Sequence, residues 1–109
     1  MADFTHEIYR YLNSANLKHS NLGYTYLFAV IKKMLENESS VKISDIYSQV
    51  AEEYKTSSIC VERAIRYTIL EKNITNKEFI MRACHEIKYG VYNSRYAPES
   101  GAEASKASS

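Results

Sequence analysis

Apolar residues recur at helical spacing along almost the whole chain, and this periodicity limits the fold more than any other feature. Only three glycines and one proline are present, which is too few for the many turns of a β-sandwich or barrel. A length of 109 residues provides enough chain for one domain. The sequence therefore predicts an all-α fold of about five helices, in a single helical domain over residues 1–96.

Polar breaks separate the five helical segments. The second segment has the broadest apolar stripe, from Tyr24 to Leu35, and we expect it to be the central core helix. Asp3 is a predicted N-cap of the first helix. Thr75 with Glu78 matches a capping box for the fifth helix, and Gly90 is the predicted residue at its C-terminal end.

The composition changes after residue 96. Residues 97–109 contain one proline, one glycine, four serines and no large apolar side chain. Such a segment cannot bury enough surface to offset the entropy lost on ordering. We therefore expect a disordered C-terminal tail.

Charge is unevenly distributed although the whole chain has a net charge of only +1. Residues 34–53 carry a net charge of −4, and residues 55–95 carry +4. A basic C-terminal half is suited to a polyanion, whereas mixed charges on an ordinary helical surface are the alternative.

Several function classes are unsupported by the sequence. No apolar run is long enough to span a membrane, and no signal-peptide pattern opens the chain. Cys60 and Cys84 form neither a disulfide framework nor a zinc motif, and we interpret both as packing cysteines in a reducing cytoplasm. Because no catalytic set, phosphate-binding glycine loop or metal cluster is present, we expect no enzyme activity, no cofactor and no small-molecule substrate.

The segment Asp45–Ile69 has the pattern of a helix-turn-helix, with two short amphipathic helices and a tight break. Ala51 supplies a small residue where the helices cross, and Tyr54 and Val61 supply apolar residues on either side of the turn. Lys55 stands where such a turn often has glycine. Either Lys55 adopts a left-handed backbone, at a cost of about 1 kcal/mol, or the turn has another geometry.

The second helix of this unit has a polar face that suits DNA. At 100° per residue, Glu62, Arg63 and Arg66 fall within one arc. A recognition helix enters the major groove, where an arginine fork donates to guanine and a glutamate accepts from the cytosine amino group. The residues before this helix are predicted to hold phosphate through charge, hydroxyls and backbone N–H groups; they are Lys55, Thr56, Ser57 and Ser58.

Four stretches of the chain resemble, in order, the C-terminal effector domain of the master response regulator of sporulation in endospore-forming bacteria. The strongest is Val61–Arg66, preceded by Thr56–Ser58, which resembles the recognition helix of that family. The others are Gly23–Ile31, the pair Asp45–Ile46 with Val50–Tyr54, and Thr75–Ile80. The resemblance extends roughly over residues 14–87.

The resemblance implies an all-helical domain that binds promoter DNA of sporulation genes, with Glu62, Arg63 and Arg66 as DNA contacts. Cys60 is a departure, because the family has an arginine there that contacts a guanine, and one base contact is therefore expected to be missing. The family also has a longer segment after the recognition helix, part of which contacts the polymerase sigma factor. Here Arg66 and Thr75 are only nine residues apart, so transcriptional activation is not expected to carry over directly.

The family protein has an N-terminal receiver domain, whereas only a short segment precedes the matching region here. The chain is therefore expected to be either a stand-alone relative or an excised domain, and Met1 and the unrelated first helix favour the former. The favoured function is a small cytoplasmic, nucleoid-associated transcriptional regulator that binds double-stranded DNA. RNA polymerase and a second copy of the chain are the protein partners considered. The alternative is a protein-interaction module that kept the helix-turn-helix and lost specific DNA readout, which Cys60 and the near-neutral charge favour.

Overall fold

Five α-helices lie within the residues that the computed structural model describes, namely 4–18, 21–37 and 42–89. They are α1 (Thr5–Ser14), α2 (Leu22–Glu36), α3 (Ile43–Glu53), α4 (Ser58–Thr68) and α5 (Asn76–Tyr89), with a short 3-10 turn at Leu70–Lys72. These residues contain no β-strand, so the predicted all-α fold with five helices is confirmed. The predicted Asp3 cap, Gly90 cap and tail 97–109 lie outside the described residues.

Helix α2 is the centre of the fold, because it packs against α1, α3, α4 and α5. Its buried apolar side chains are Tyr24, Tyr26, Leu27, Val30, Ile31 and Leu35. The surrounding helices each contribute a fully buried isoleucine to the same core; these are Ile8, Ile46, Ile65 and Ile80. Burial of each such side chain stabilises the fold by about 1.5–3 kcal/mol. The central core helix predicted from the apolar stripe is confirmed.

Gly23 lies where the backbones of α2 and α4 approach each other closely. A Cβ atom at this position would overlap the carbonyl oxygen of Ala64 and the hydroxyl of Thr68. Thr68 Oγ1 donates to that same carbonyl oxygen at 3.0 Å, so the two groups form one surface against Gly23. In the sequence, Gly23 follows the polar break that separates the first two helical segments. The structure gives the glycine a further reason, because it seats α4 directly on the central helix.

Two contacts hold the C-terminal end of α3 on α2. Lys33 Nζ and Glu53 Oε2 are 2.6 Å apart and form an ion pair between the helices. The ring of Tyr54 meets the ring of Tyr26 edge-on, with centroids 5.4 Å apart. Because these two contacts hold the C-terminal end of α3, the turn that follows α3 starts from a defined position.

Candidate nucleic-acid interface

Helices α3 and α4 form the helix-turn-helix that the sequence predicted over residues 45–69. Ala51 of α3 is buried, as expected for the small residue of this unit, and Val61 and Ile65 of α4 are fully buried. Ala64 is partly buried and packs against the core. Helix α3 begins two residues earlier than the predicted unit, at Ile43, and α4 ends one residue before its predicted limit.

The turn between the helices has a left-handed residue at Lys55, with φ of 57°. The N–H of Thr56 donates to the Ala51 carbonyl at 2.9 Å, and the N–H of Lys55 donates to the Glu52 carbonyl at 3.3 Å. These two bonds make a Schellman motif, in which glycine is the usual residue at the left-handed position. Of the two turn geometries left open by the sequence, the chain therefore uses the strained one, and it leaves the Lys55 side chain exposed.

Ser57 is the N-cap of α4. Its backbone is extended, and its Oγ accepts a hydrogen bond from the Cys60 N–H at 3.1 Å. The cap therefore uses the Cys60 N–H, one of the free N–H groups at the start of α4. Ser57 is exposed, and Thr56 and Ser58 are half-buried. The Ser58 hydroxyl and the first N–H groups of α4 are donors that this end presents, and the Ser57 and Thr56 hydroxyls also lie within hydrogen-bond reach of the Cys60 thiol.

The polar face of α4, defined by Glu62, Arg63 and Arg66, is exposed along its length. Within the described part of the chain, neither arginine forms a salt bridge. Two exposed apolar side chains border this face: Ile59 is 58% exposed and Tyr67 is 76% exposed. Glu62, Arg63 and Arg66 therefore lie together on one surface, and the described residues hold neither arginine in a salt bridge.

Cys60 does not pack in the core, contrary to the sequence-based interpretation. It lies on the first turn of α4 with its side chain exposed, since it points about 100° away from the buried neighbour Val61. Hydrogen bonds from the hydroxyls of Ser57 and Thr56, aided by the charge of Arg63, lower the pKa of its thiol. The position where the family has an arginine is therefore on the surface next to the polar face of α4.

Cys84 behaves as the sequence predicted. Cys84 lies on α5 and is half-buried against the core. Burial raises the pKa of its thiol to about 11. Both cysteines are free, so a disulfide plays no part in holding the described helices together.

A groove beside the polar face, which the sequence did not reveal, is formed where α3, α4 and the start of α5 meet. We call it the α5 groove; it has a volume of about 420 Å³ and is lined by Ile43, Tyr47, Glu62, Arg66, Ile74, Thr75, Asn76 and Lys77. The buried Asn76 donates from Nδ2 to the Glu62 carbonyl oxygen at 2.9 Å. This bond fixes the start of α5 to the turn of α4 that carries Glu62.

Hydrogen bonds also involve Tyr47 and Thr75, which line the α5 groove next to Asn76. Burial raises the pKa of Tyr47, opposed by a hydrogen bond with Asn76 and reinforced by the charge of Glu62. Thr75 Oγ1 accepts from the Glu78 N–H at 3.1 Å, which confirms the cap predicted from Thr75 and Glu78. The sequence contained the cap signal, but not the contact that brings the capped helix to α4.

Other kinds of site find little support in residues 4–18, 21–37 and 42–89. They contain no group of three or more His, Cys, Asp or Glu side chains that could hold a metal ion. No helix formed by these residues is both long enough and apolar enough to cross a membrane.

Comparison with known proteins identifies one family. The family model described as "Sporulation initiation factor Spo0A C terminal" matches residues 8–81. The match runs from α1 into α5, and it includes the helix-turn-helix with all seven predicted contact residues. No curated protein and no solved structure matches the chain.

Proposed function

This chain belongs to the Spo0A C-terminal family, whose members are DNA-binding effector domains, and from that premise we propose that it regulates transcription by reading a specific double-stranded DNA sequence. The observation that carries the proposal is the polar face of α4, where Glu62, Arg63 and Arg66 are exposed together. Among the described residues, no carboxylate forms a salt bridge with either arginine. Charged side chains presented in this way retain their hydrogen-bonding capacity for base edges.

In the proposed complex, α4 lies in the major groove. Arg63 and Arg66 donate to guanine or to phosphate, and Glu62 accepts from a cytosine amino group. The N-terminal end of α4 meets the backbone, where Lys55 supplies a positive charge. Thr56, Ser57 and Ser58 supply hydroxyls there, together with the N–H groups at the start of α4. Backbone contacts position the helix, and base contacts select the sequence.

A protein-interaction module is the second candidate. It is favoured by one observation, the exposed thiol of Cys60 at the position where the family has a guanine-contacting arginine. Loss of that contact removes about 1–3 kcal/mol of base discrimination from a recognition helix. Under this alternative, the polar face of α4 binds a protein, and DNA of any sequence binds equally weakly.

Selection from a randomised duplex library, followed by gel-shift titration of the selected and scrambled duplexes, separates the two candidates. The proposed function predicts an enriched box and tighter binding of the selected duplex. Arg63→Ala and Arg66→Ala should each reduce discrimination between the duplexes. Lys88→Ala removes an exposed cation near the C-terminal end of α5; it is the control and should bind as the wild type does. If no box is enriched and all duplexes bind alike, the proposed readout is wrong.

The stoichiometry of the same titration tests whether two copies of the chain occupy one duplex. We place the protein in the cytoplasm with the nucleoid, because its proposed ligand is chromosomal DNA. Crosslinking in cells, followed by sequencing of the captured DNA, tests that placement. Co-purification of RNA polymerase with the DNA-bound protein tests the remaining proposed partner.

A further inference from the structure

We propose that the α5 groove is a second DNA-backbone contact, with Lys77 as its principal phosphate ligand and Arg66 shared between the groove and the polar face of α4. This inference rests on the proposed function, since it assumes that α4 lies in the major groove. None of the contact residues predicted from the sequence lies on α5. The ligand is the phosphodiester backbone, without regard to base sequence.

The dimensions of DNA bring a phosphate backbone close to any element beside the polar face. The major groove is about 12 Å wide, and a helix with its side chains is about 10–12 Å across. A helix seated there has a phosphate backbone along each flank. Glu62 and Arg66 belong both to the polar face and to the lining of the α5 groove, so this groove lies on a flank of α4 rather than on its far side.

The structure holds the start of α5 rigidly at that flank. The bond from Asn76 Nδ2 to the Glu62 carbonyl oxygen is 2.9 Å long, and Asn76 is buried. Lys77, the next residue along α5, is exposed. The position of Lys77 is therefore fixed relative to the backbone of α4, at the turn that carries the proposed cytosine contact.

The charges around the α5 groove favour an anion. Two cations, Arg66 and Lys77, and one carboxylate, Glu62, line it. Lys77 also lines an adjacent groove with Lys42, which precedes α3 and adds a third cation to this edge. Among the residues described, none of these three cations forms a salt bridge, whereas the nearby Glu78 carboxylate is paired with Arg82. Within residues 4–18, 21–37 and 42–89, this edge therefore carries more cations than carboxylates.

The experiment compares two lysines on the same helix. Lys77→Ala removes the proposed contact, and Lys88→Ala is the matched control, because Lys88 is also exposed and lies about 16 Å further along α5 at 1.5 Å per residue. Affinities for the selected and scrambled duplexes are measured by fluorescence anisotropy at several salt concentrations. Thermal melts verify that each variant is folded, and Lys42→Ala provides a second variant at the same edge.

We expect Lys77→Ala to weaken binding to both duplexes by the same factor, because a phosphate contact carries no base information. Its slope of log affinity against log salt should be shallower by about 0.9, so that its deficit relative to the wild type shrinks by about 3.5-fold between 50 mM and 200 mM salt. Lys88→Ala should retain the wild-type slope. Equal slopes for the Lys77 variant and its control, in folded proteins, would overturn the proposal.

The location of the contact is tested by neutral methylphosphonate substitutions placed one at a time along the duplex. One substitution that weakens wild-type binding should leave the Lys77→Ala variant unaffected. If each methylphosphonate substitution changes the affinity of the wild type and of Lys77→Ala by the same factor, the proposal is also overturned. The proposed function fails separately, through loss of discrimination between selected and scrambled duplexes by the wild-type protein, and that result is read independently of the lysine comparison.

Discussion

Replacement of Lys55 separates two roles that this residue has in the turn of the helix-turn-helix. Its φ of 57° places an L-amino acid in the left-handed region, which costs about 1–2 kcal/mol. Glycine avoids that cost but loses about 0.5–1 kcal/mol more conformational entropy on folding. Lys55→Gly should therefore be about 0.5–1 kcal/mol more stable than Lys55→Ala, which keeps the strained backbone and also lacks the charge.

The stability difference is measurable by thermal denaturation followed by circular dichroism. For a domain of this size, 1 kcal/mol shifts the melting temperature by about 4–8 °C, so we expect the glycine variant to melt roughly 2–8 °C above the alanine variant. Both variants lose the same positive charge, and so both should bind DNA with a salt slope about 0.9 shallower than that of the wild type. The comparison between glycine and alanine thus isolates the backbone, and the comparison with lysine isolates the charge.

Two outcomes would refute the reasoning about Lys55. A glycine variant that melts no higher than the alanine variant would mean that the left-handed turn carries no cost. Unequal salt slopes of the glycine and alanine variants would mean that the turn geometry, and not the lysine charge, sets the DNA affinity. Chemical denaturation in urea provides a check, because a change in midpoint without a change in slope reports stability alone.

Three further predictions follow from the helix contacts and the charge distribution. Gly23→Ala should destabilise the fold by about 1–3 kcal/mol, because its Cβ would overlap Ala64 and Thr68; a urea midpoint equal to that of the wild type would contradict the close approach of α2 and α4. Cys60→Arg should leave the fold intact, since the side chain is exposed, and should favour the family's box over the same duplex without its guanine by about 10- to 100-fold; a folded variant that binds both duplexes equally argues against readout by α4. The wild type should show a slope of log affinity against log salt of roughly −3 to −5, as expected for four to six phosphate contacts, and a slope near zero excludes binding dominated by phosphate.

The order of the helices and the inward face of α4 could be predicted from the sequence because they depend on local periodicity. Val61 and Ile65 are buried, and Glu62 and Arg66 are exposed, as 100° per residue requires. Cys60 was predicted to pack but is exposed, although its chain neighbour Val61 is fully buried. Adjacent residues on a helix point in different directions, and one of this pair faces solvent.

Contacts between residues distant in the chain were beyond the reach of the sequence pattern. The requirement for glycine at Gly23 comes from Ala64 and Thr68, more than forty residues away in the chain. The α5 groove likewise depends on a side-chain amide of Asn76 that reaches a carbonyl on another helix. Periodicity states which face of each helix is apolar, but it does not state which backbone atoms meet when those faces pack.

The bond between Asn76 and α4 has a consequence for how the protein can change. Asn76 donates to the main-chain carbonyl oxygen of Glu62, and this bond does not involve the Glu62 carboxylate. Every amino acid has this main-chain carbonyl, so the hydrogen bond that fixes α5 to α4 does not depend on which side chain occupies position 62. A library randomised at this position, with proline left out because it would break α4, should therefore retain folded members, which makes position 62 a suitable starting point for redirecting the protein to new DNA sequences.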